Sequence, residues 1–213
     1  MEEGSGGDGG EGGVGYRMDL TQTIALTLGV AWASGINLYA AVLMLGLLGT
    51  TGHIALPVQL EILSNPWVIG AAGFMFLAEF LADKIPGFDS LWDAVHTFIR
   101  IPAGAALAAG AVGPMDPAIQ AAAVLLGGAV ATGSHGTKMA TRLMINGSPE
   151  PFSNWSASIA EDTAVFGGLY FALHYPLVFL CFLLVFLAMA VWLLPKLIRA
   201  LRSGVLRIAA VFR

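Results

Sequence analysis

The chain has 213 residues, 57% of them hydrophobic and 11% charged, with a mean hydropathy of +0.78 and a formal net charge of −4. A soluble domain carries about a quarter charged residues, so this is a membrane composition, and the mildly acidic balance argues against nucleic-acid binding. A lone cysteine, Cys181 in "VFLCFLLVF", excludes an internal disulfide and any cysteine-based metal cluster.

Residues 1–19 open with "MEEGSGGDGGEGGVGYR", Gly-rich and acidic without an apolar face, which predicts a disordered tail. The apolar stretch that follows is far too long for the h-region of a cleavable signal, and Met18 is a second candidate start. A spanning helix needs roughly 20 mostly apolar residues. On that measure six spans are expected: 20–48, 66–84, 90–112, 118–145, 156–174 and 177–201. Pro66 suits a first helical turn, and "GPMDP" and "HYP" punctuate tight turns. The predicted fold is all-α, a polytopic membrane bundle of about six transmembrane helices spanning 20–201.

Lys and Arg placement orients the bundle. The C-terminal "KLIRALRSGVLRIAAVFR" holds five basic residues and belongs on the cytoplasmic side of a cell (inner) membrane. Six spans then place the N-terminus inside as well, with Lys84 and Arg142 at inner ends. The connections 49–65, 113–117 and 175–176 carry no Lys or Arg. Residues 202–213 read as a basic interfacial helix on anionic lipid.

An internal repeat runs through the chain. "VAWASGINLYAAVLM" (30–44) aligns without a gap on "VATGSHGTKMATRLM" (130–144), matching Val30, Ala31, Ser34, Ala40, Leu43 and Met44. "LSNPW" is echoed by "FSNW", and "KIP" by "HYP", in the same order. Two halves, about 20–113 and 117–201, then hold three spans each, and an odd number inverts the second relative to the first. Inverted repeats of this kind mark transporters that rock about a midplane site; a duplicated scaffold with another task is the alternative.

"ASGINLYAAVLMLGLLG", "NPWVI", "EFLADKIPGFDSLWDAVHTFIRIPAGA" and "HGTKMATRLMINGSPEPFSNWSASIAED" resemble the bacterial membrane proteins grouped as domain of unknown function 4126, over roughly residues 20–180. The resemblance implies an integral membrane protein and brings no activity with it.

Charge inside the apolar spans is the functional signal. At about 100° per residue, Asp89, Asp93, His96 and Arg100 share one stripe of the third span, roughly 60° wide. Arg100 lies about 15 Å in from the inner end. A cation facing lipid there costs at least ~2.5–3.5 kcal/mol, so it needs a partner, as a structural strut or as a functional cation. Glu79 and Asp83 share a face of the second span; Asp83 and Lys84 read as interfacial, and Asp89 or Ser90 as a helix cap. His135, Lys138 and Arg142 line one face of the fourth span, and Glu161 and Asp162 sit in the fifth. Asn154 and Trp155 read as a cap and an interfacial anchor.

Glycines in mid-span suggest broken helices at Ser34, Gly35 and Asn37 and, in the matching repeat, at Gly133, Ser134 and Gly136, unless they serve only close packing. A half-helix N-terminus so exposed is an anion site, with Lys138 and Arg142 beside it. The expected pathway residues are Glu79, Asp93, His96, Arg100, His135, Lys138, Arg142, Glu161 and Asp162.

Three functions follow. The first is a transporter of a small polar or anionic solute, a lipid-linked phosphate included, coupled to protons or a cation. The second is an intramembrane metal-dependent hydrolase with Asp89, Asp93 and His96 as candidate ligands, although no spacing such as HExxH supports zinc. The third is an assembly protein whose buried charges fix helix register. The expected partners are the bilayer, the solute and a second copy of the chain; no cofactor is evident, and metal binding stays open.

Overall fold

The computed structural model describes residues 18–147 and 151–211, so the tail expected over 1–19 lies almost wholly outside the described residues. Six α-helices follow one another: α1 (Leu20–Thr50), α2 (Pro66–Ala82), α3 (Phe88–Val112), α4 (Pro117–Asn146), α5 (Pro151–His174) and α6 (Pro176–Val211). A 3-10 helix, Val58–Ser64, joins the first two. Local signals fix the ends. Asp19 and Gln22 form a reciprocal capping box on α1, and Asn65 and Asp116 cap α2 and α4, each followed by proline at the first position. Gly87 and Gly113, at φ 84° and 74°, bound α3 with backbone that side chains rarely adopt. α5 begins at Pro151, five residues earlier than expected, so Asn154 lies inside the helix and is not its cap.

Among the described residues, four helical segments are long and apolar enough to cross a membrane: α1, α3, α4 and Pro176–Lys196 of α6. A fifth is gained if the 3-10 helix and α2, bent by 67°, count as one span. Phe74, Leu77, Phe98, Leu125, Leu184 and Val191 point outward as a lipid-facing surface would require. α1 is the central element, 72% buried over its most apolar window, whereas α6 is 17% buried and peripheral.

α1 does not cross in one pass. A straight helix of its length would separate Leu20 from Thr50 by about 45 Å. Instead, Asn37 leaves helical geometry, at φ −145° and ψ 97°, and the two limbs fold back toward the same end. Limb 20–36 runs antiparallel to α5 and α3. Gly29 packs on Ala172 and Phe179, Trp32 on Gly168, and Ser34 reaches Gly104 and the Arg100 carbonyl. Limb 38–50 then climbs antiparallel to α2, with Leu43 opposite Gly73, Gly46 against Ile69 and Leu63, and Gly49 against Ser64 and Leu56. Met18 and Gln22 consequently line one cavity with Gly52, His53 and His174, and Met18 and Thr23 line another with Leu56 and Val112. α1 is a re-entrant hairpin with its tip at Asn37. The expected single span 20–48 is therefore corrected, because freed backbone at Asn37 is satisfied inside the bundle and needs no continuation through the bilayer.

α6 descends parallel to α4, Leu187 lying against Gly133 and Leu194 against Gly136, so Lys196 and Leu20 lie at opposite ends of the bundle. The second expected interruption is corrected as well. α4 is one helix through Gly133, Ser134 and Gly136, and the Ser134 hydroxyl donates back to the Val130 carbonyl at 3.1 Å. Small residues there serve packing: a Cβ on Gly35 would run into Ser134 Oγ and the Ala131 carbonyl, and one on Gly104 would sit 2.6 Å from Ala131 Cβ.

Candidate functional site

The fold gathers the charges of α2, α3, α4 and α5 into one column that climbs from the level of Gly87 and Asn146 to the tip of α1. At the lowest level Asn146 donates to both oxygens of Asp89, at 2.7 and 3.0 Å, and Asn154 donates to Asn146. Asp89 also accepts the Gly87 and Ser90 backbone N–H groups, so it does the work of a cap from within the first turn. One turn up, Arg142 forks onto Glu161 (Nε–Oε1 3.0 Å, Nη2–Oε2 2.7 Å) and holds Asp83 at 3.0 Å.

Lys138 is central to the next level. Its Nζ lies 3.1 Å from Glu79 Oε1, 3.3 Å from Glu161 Oε2, 3.4 Å from Asp83 Oδ2 and 3.5 Å from Asp93 Oδ1. Arg100 then bridges Glu79 at 2.7 Å and Asp93 at 2.8 Å, with all three side chains fully buried. From Asn146 up to His135 the column occupies about 16 Å of α4.

At the top it meets the broken backbone. Leaving the helix at Asn37 frees the carbonyls before it; Gly35 O accepts from His135 Nδ1 at 3.2 Å and Ile36 O from Lys138 at 3.1 Å. A proton on Nδ1 serves the Gly35 carbonyl, which only accepts, whereas Arg100 Nη1, a donor 3.4 Å from the same nitrogen, is served by the other tautomer; Nε2 faces Thr97 Oγ1 at 2.8 Å. Asn37 serves both sides of the break. Its Oδ1 accepts from Ala40 N, capping the second limb, while its Nδ2 donates to Asp162 Oδ1, both at 2.9 Å.

Of the expected pathway residues, the fold brings together Glu79, Asp93, Arg100, His135, Lys138, Arg142, Glu161 and Asp162. His96 stands apart: it stacks on Trp92, its Nδ1 meets the Trp92 carbonyl at 2.8 Å, and its Nε2 faces the Tyr39 hydroxyl at 3.1 Å. Asp89, Asp93 and His96 accordingly share a helix face without a common point, and among the described residues no three His, Cys, Asp or Glu side chains group to hold a metal ion. Sequence reasoning underrated Asp83, which is 2% exposed and bonded to two cations; its place four residues after Glu79 on one face was the available signal. It also took Asn154 for a cap, whereas its backbone oxygen accepts from Arg142 inside the bundle.

The ion pairs set five carboxylates (Glu79, Asp83, Asp89, Asp93, Glu161) against three cations (Arg100, Lys138, Arg142). Low dielectric makes such an excess costly unless protons or other cations offset it. Three of the carboxylates, moreover, each keep one buried oxygen without a partner: Glu79 Oε2, Asp83 Oδ1 and Asp93 Oδ2.

A helical, membrane-like protein with a re-entrant helix meeting a buried ion column is the class that fold and site define. The family model described as domain of unknown function (DUF4126) matches residues 24–196, and the chain belongs to that family. No curated protein and no solved structure matches it.

Proposed function

We propose that the protein is a membrane transporter that moves a small polar or anionic solute, driven by protons or a cation taken up by the acid-rich column. One observation carries the reading: α1 is discontinuous, and its free carbonyls at Gly35 and Ile36 face buried, charged side chains of α4. Discontinuous helices whose unwound carbonyls meet charge near the midplane are how secondary transporters build coupling sites. The excess of carboxylates supports proton or cation coupling, since each has reason to bind a positive charge.

Two inverted repeats fit the same reading. Gly35 and His135, aligned positions 100 residues apart, are joined directly, as equivalent positions meet near a two-fold axis. The limb 38–50, α2 and α3 run up, down and up; the lower half of α4, α5 and α6 run down, up and down. Basic residues at Lys84, Arg142 and the C-terminus put the column's lower end in the cytoplasm, so Leu20 faces outward from the cell membrane.

The test is flux in proteoliposomes carrying a pH dye, with gradients of phosphate and small carboxylates imposed in turn. Solute-dependent proton movement that disappears in a folded Glu79→Gln protein is expected. A folded wild type that moves neither protons nor solute under any gradient refutes transport and returns the column to a purely structural role.

A further inference from the structure

Lys138 has more oxygen around it than an ammonium group can use. Three N–H bonds serve Ile36 O (3.1 Å), Glu79 Oε1 (3.1 Å) and Asp83 Oδ2 (3.4 Å). Two further carboxylate oxygens, Glu161 Oε2 at 3.3 Å and Asp93 Oδ1 at 3.5 Å, hold it by charge alone. Five oxygens from three helices and one unwound carbonyl make a coordination shell, and its separations suit a cation of ammonium size, being longer than the 2.3–2.6 Å of a calcium shell. Independently, the second oxygens of Glu79, Asp83 and Asp93 are buried without partners, on residues no more than 2% exposed.

We propose that this shell is a monovalent-cation site, occupied here by the chain's own tethered cation, and that a free cation of ammonium size takes the position when Lys138 withdraws. Room for withdrawal adjoins it. A cavity of about 300 Å³ between α1, α4, α5 and α6 is lined by Lys138 and Glu161, with the hydroxyls of Ser134, Thr137 and Thr141 on one wall and Phe182 and Phe186 on another. A flexible four-carbon stem spans such a space, and the hydroxyls offer its ammonium acceptors there. Exchange of a tethered for a free cation would keep the shell neutralised in both states. This deepens the transport reading, naming the coupling species as a monovalent cation, and rests on it for purpose only; occupancy is a separate measurement.

Lys138→Ala empties the shell. Thermal unfolding of purified variant and wild type is compared in ammonium, rubidium and choline chloride at equal ionic strength, with Lys84→Ala, outside the shell, as control. The expected result is a saturable rise in Tm of Lys138→Ala in ammonium or rubidium but not choline, absent from wild type and Lys84→Ala. A Lys138→Ala protein as indifferent to these cations as wild type overturns the site. Should the variant not survive in choline, recovery of monodisperse protein extracted in ammonium is compared with that in choline, and equal recovery overturns it too. A cation-blind variant beside a flux-competent wild type sinks the site alone; a cation-responsive variant beside a wild type without flux sinks transport and keeps the site.

Discussion

Removing Arg100 and removing Asp93 break the same ion pair, yet the column's charge makes the outcomes unequal. Arg100 lies 2.7 Å from Glu79 and 2.8 Å from Asp93, with no exposure on any partner. Arg100→Met leaves five carboxylates against two cations and leaves Glu79 and Asp93 to share Lys138 alone, a change that costs about 3–5 kcal/mol. At about 2–4 °C per kcal/mol for a chain of this length, Tm in detergent falls by roughly 6–20 °C. Asp93→Asn instead brings the balance to four against three and keeps an acceptor for Arg100, so its cost is that of one weakened hydrogen bond, about 0.5–1.5 kcal/mol. The double variant restores part of what Arg100→Met loses, with a coupling of about 1–3 kcal/mol. Equal losses from the two single variants, or an additive double, would refute the claim that the column is short of positive charge.

Three other substitutions probe the fold that positions the column. Gly35→Val drives a side chain into Ser134 and the Ala131 carbonyl and should destabilise by at least about 1–3 kcal/mol; unchanged unfolding would mean that α1 and α4 do not meet there. Gly133→Ala, at the matching region of the second repeat, meets nothing nearer than Leu187 Cδ2 at 3.8 Å, so its Tm should hold or rise, by up to about 1 kcal/mol of helix propensity. Asn37→Ala removes the cap on Ala40 and the partner of Asp162 together, a loss of about 1–3 kcal/mol in chemical unfolding; an effect within error would remove Asn37 from the hinge.

Helix existence was legible because apolar runs, capping residues and prolines are local signals, and all six helices begin or end within a few residues of the expected spans. The charged stripes were legible for the same reason: Asp93 with Arg100, and His135 with Lys138 and Arg142, follow from the helical period alone. What escaped was the reversal in α1. "ASGIN" and "TGSHG" carry the same weakness, but only Asn37 combines a break with a side chain that caps the returning limb and a carboxylate, Asp162, to hold it. That choice depends on α5, 125 residues away, and no periodicity records it. Topology erred with it, since a hairpin and a span have the same composition. His96 shows the opposite failure: it has the right angle on α3, yet Trp92 and Tyr39 satisfy it before it reaches the column.

The measurement that bears most directly on all of this is the distance between spin labels at Leu20→Cys and Thr50→Cys in a Cys181→Ser background. Both sites are exposed, and a re-entrant α1 brings them to the same end of the bundle. Pulsed electron paramagnetic resonance should then give a separation well short of about 45 Å, the length of a straight helix between them. A distance near that length would make α1 a simple span, close the break at Asn37 and take away the carbonyls on which the proposed coupling site is built.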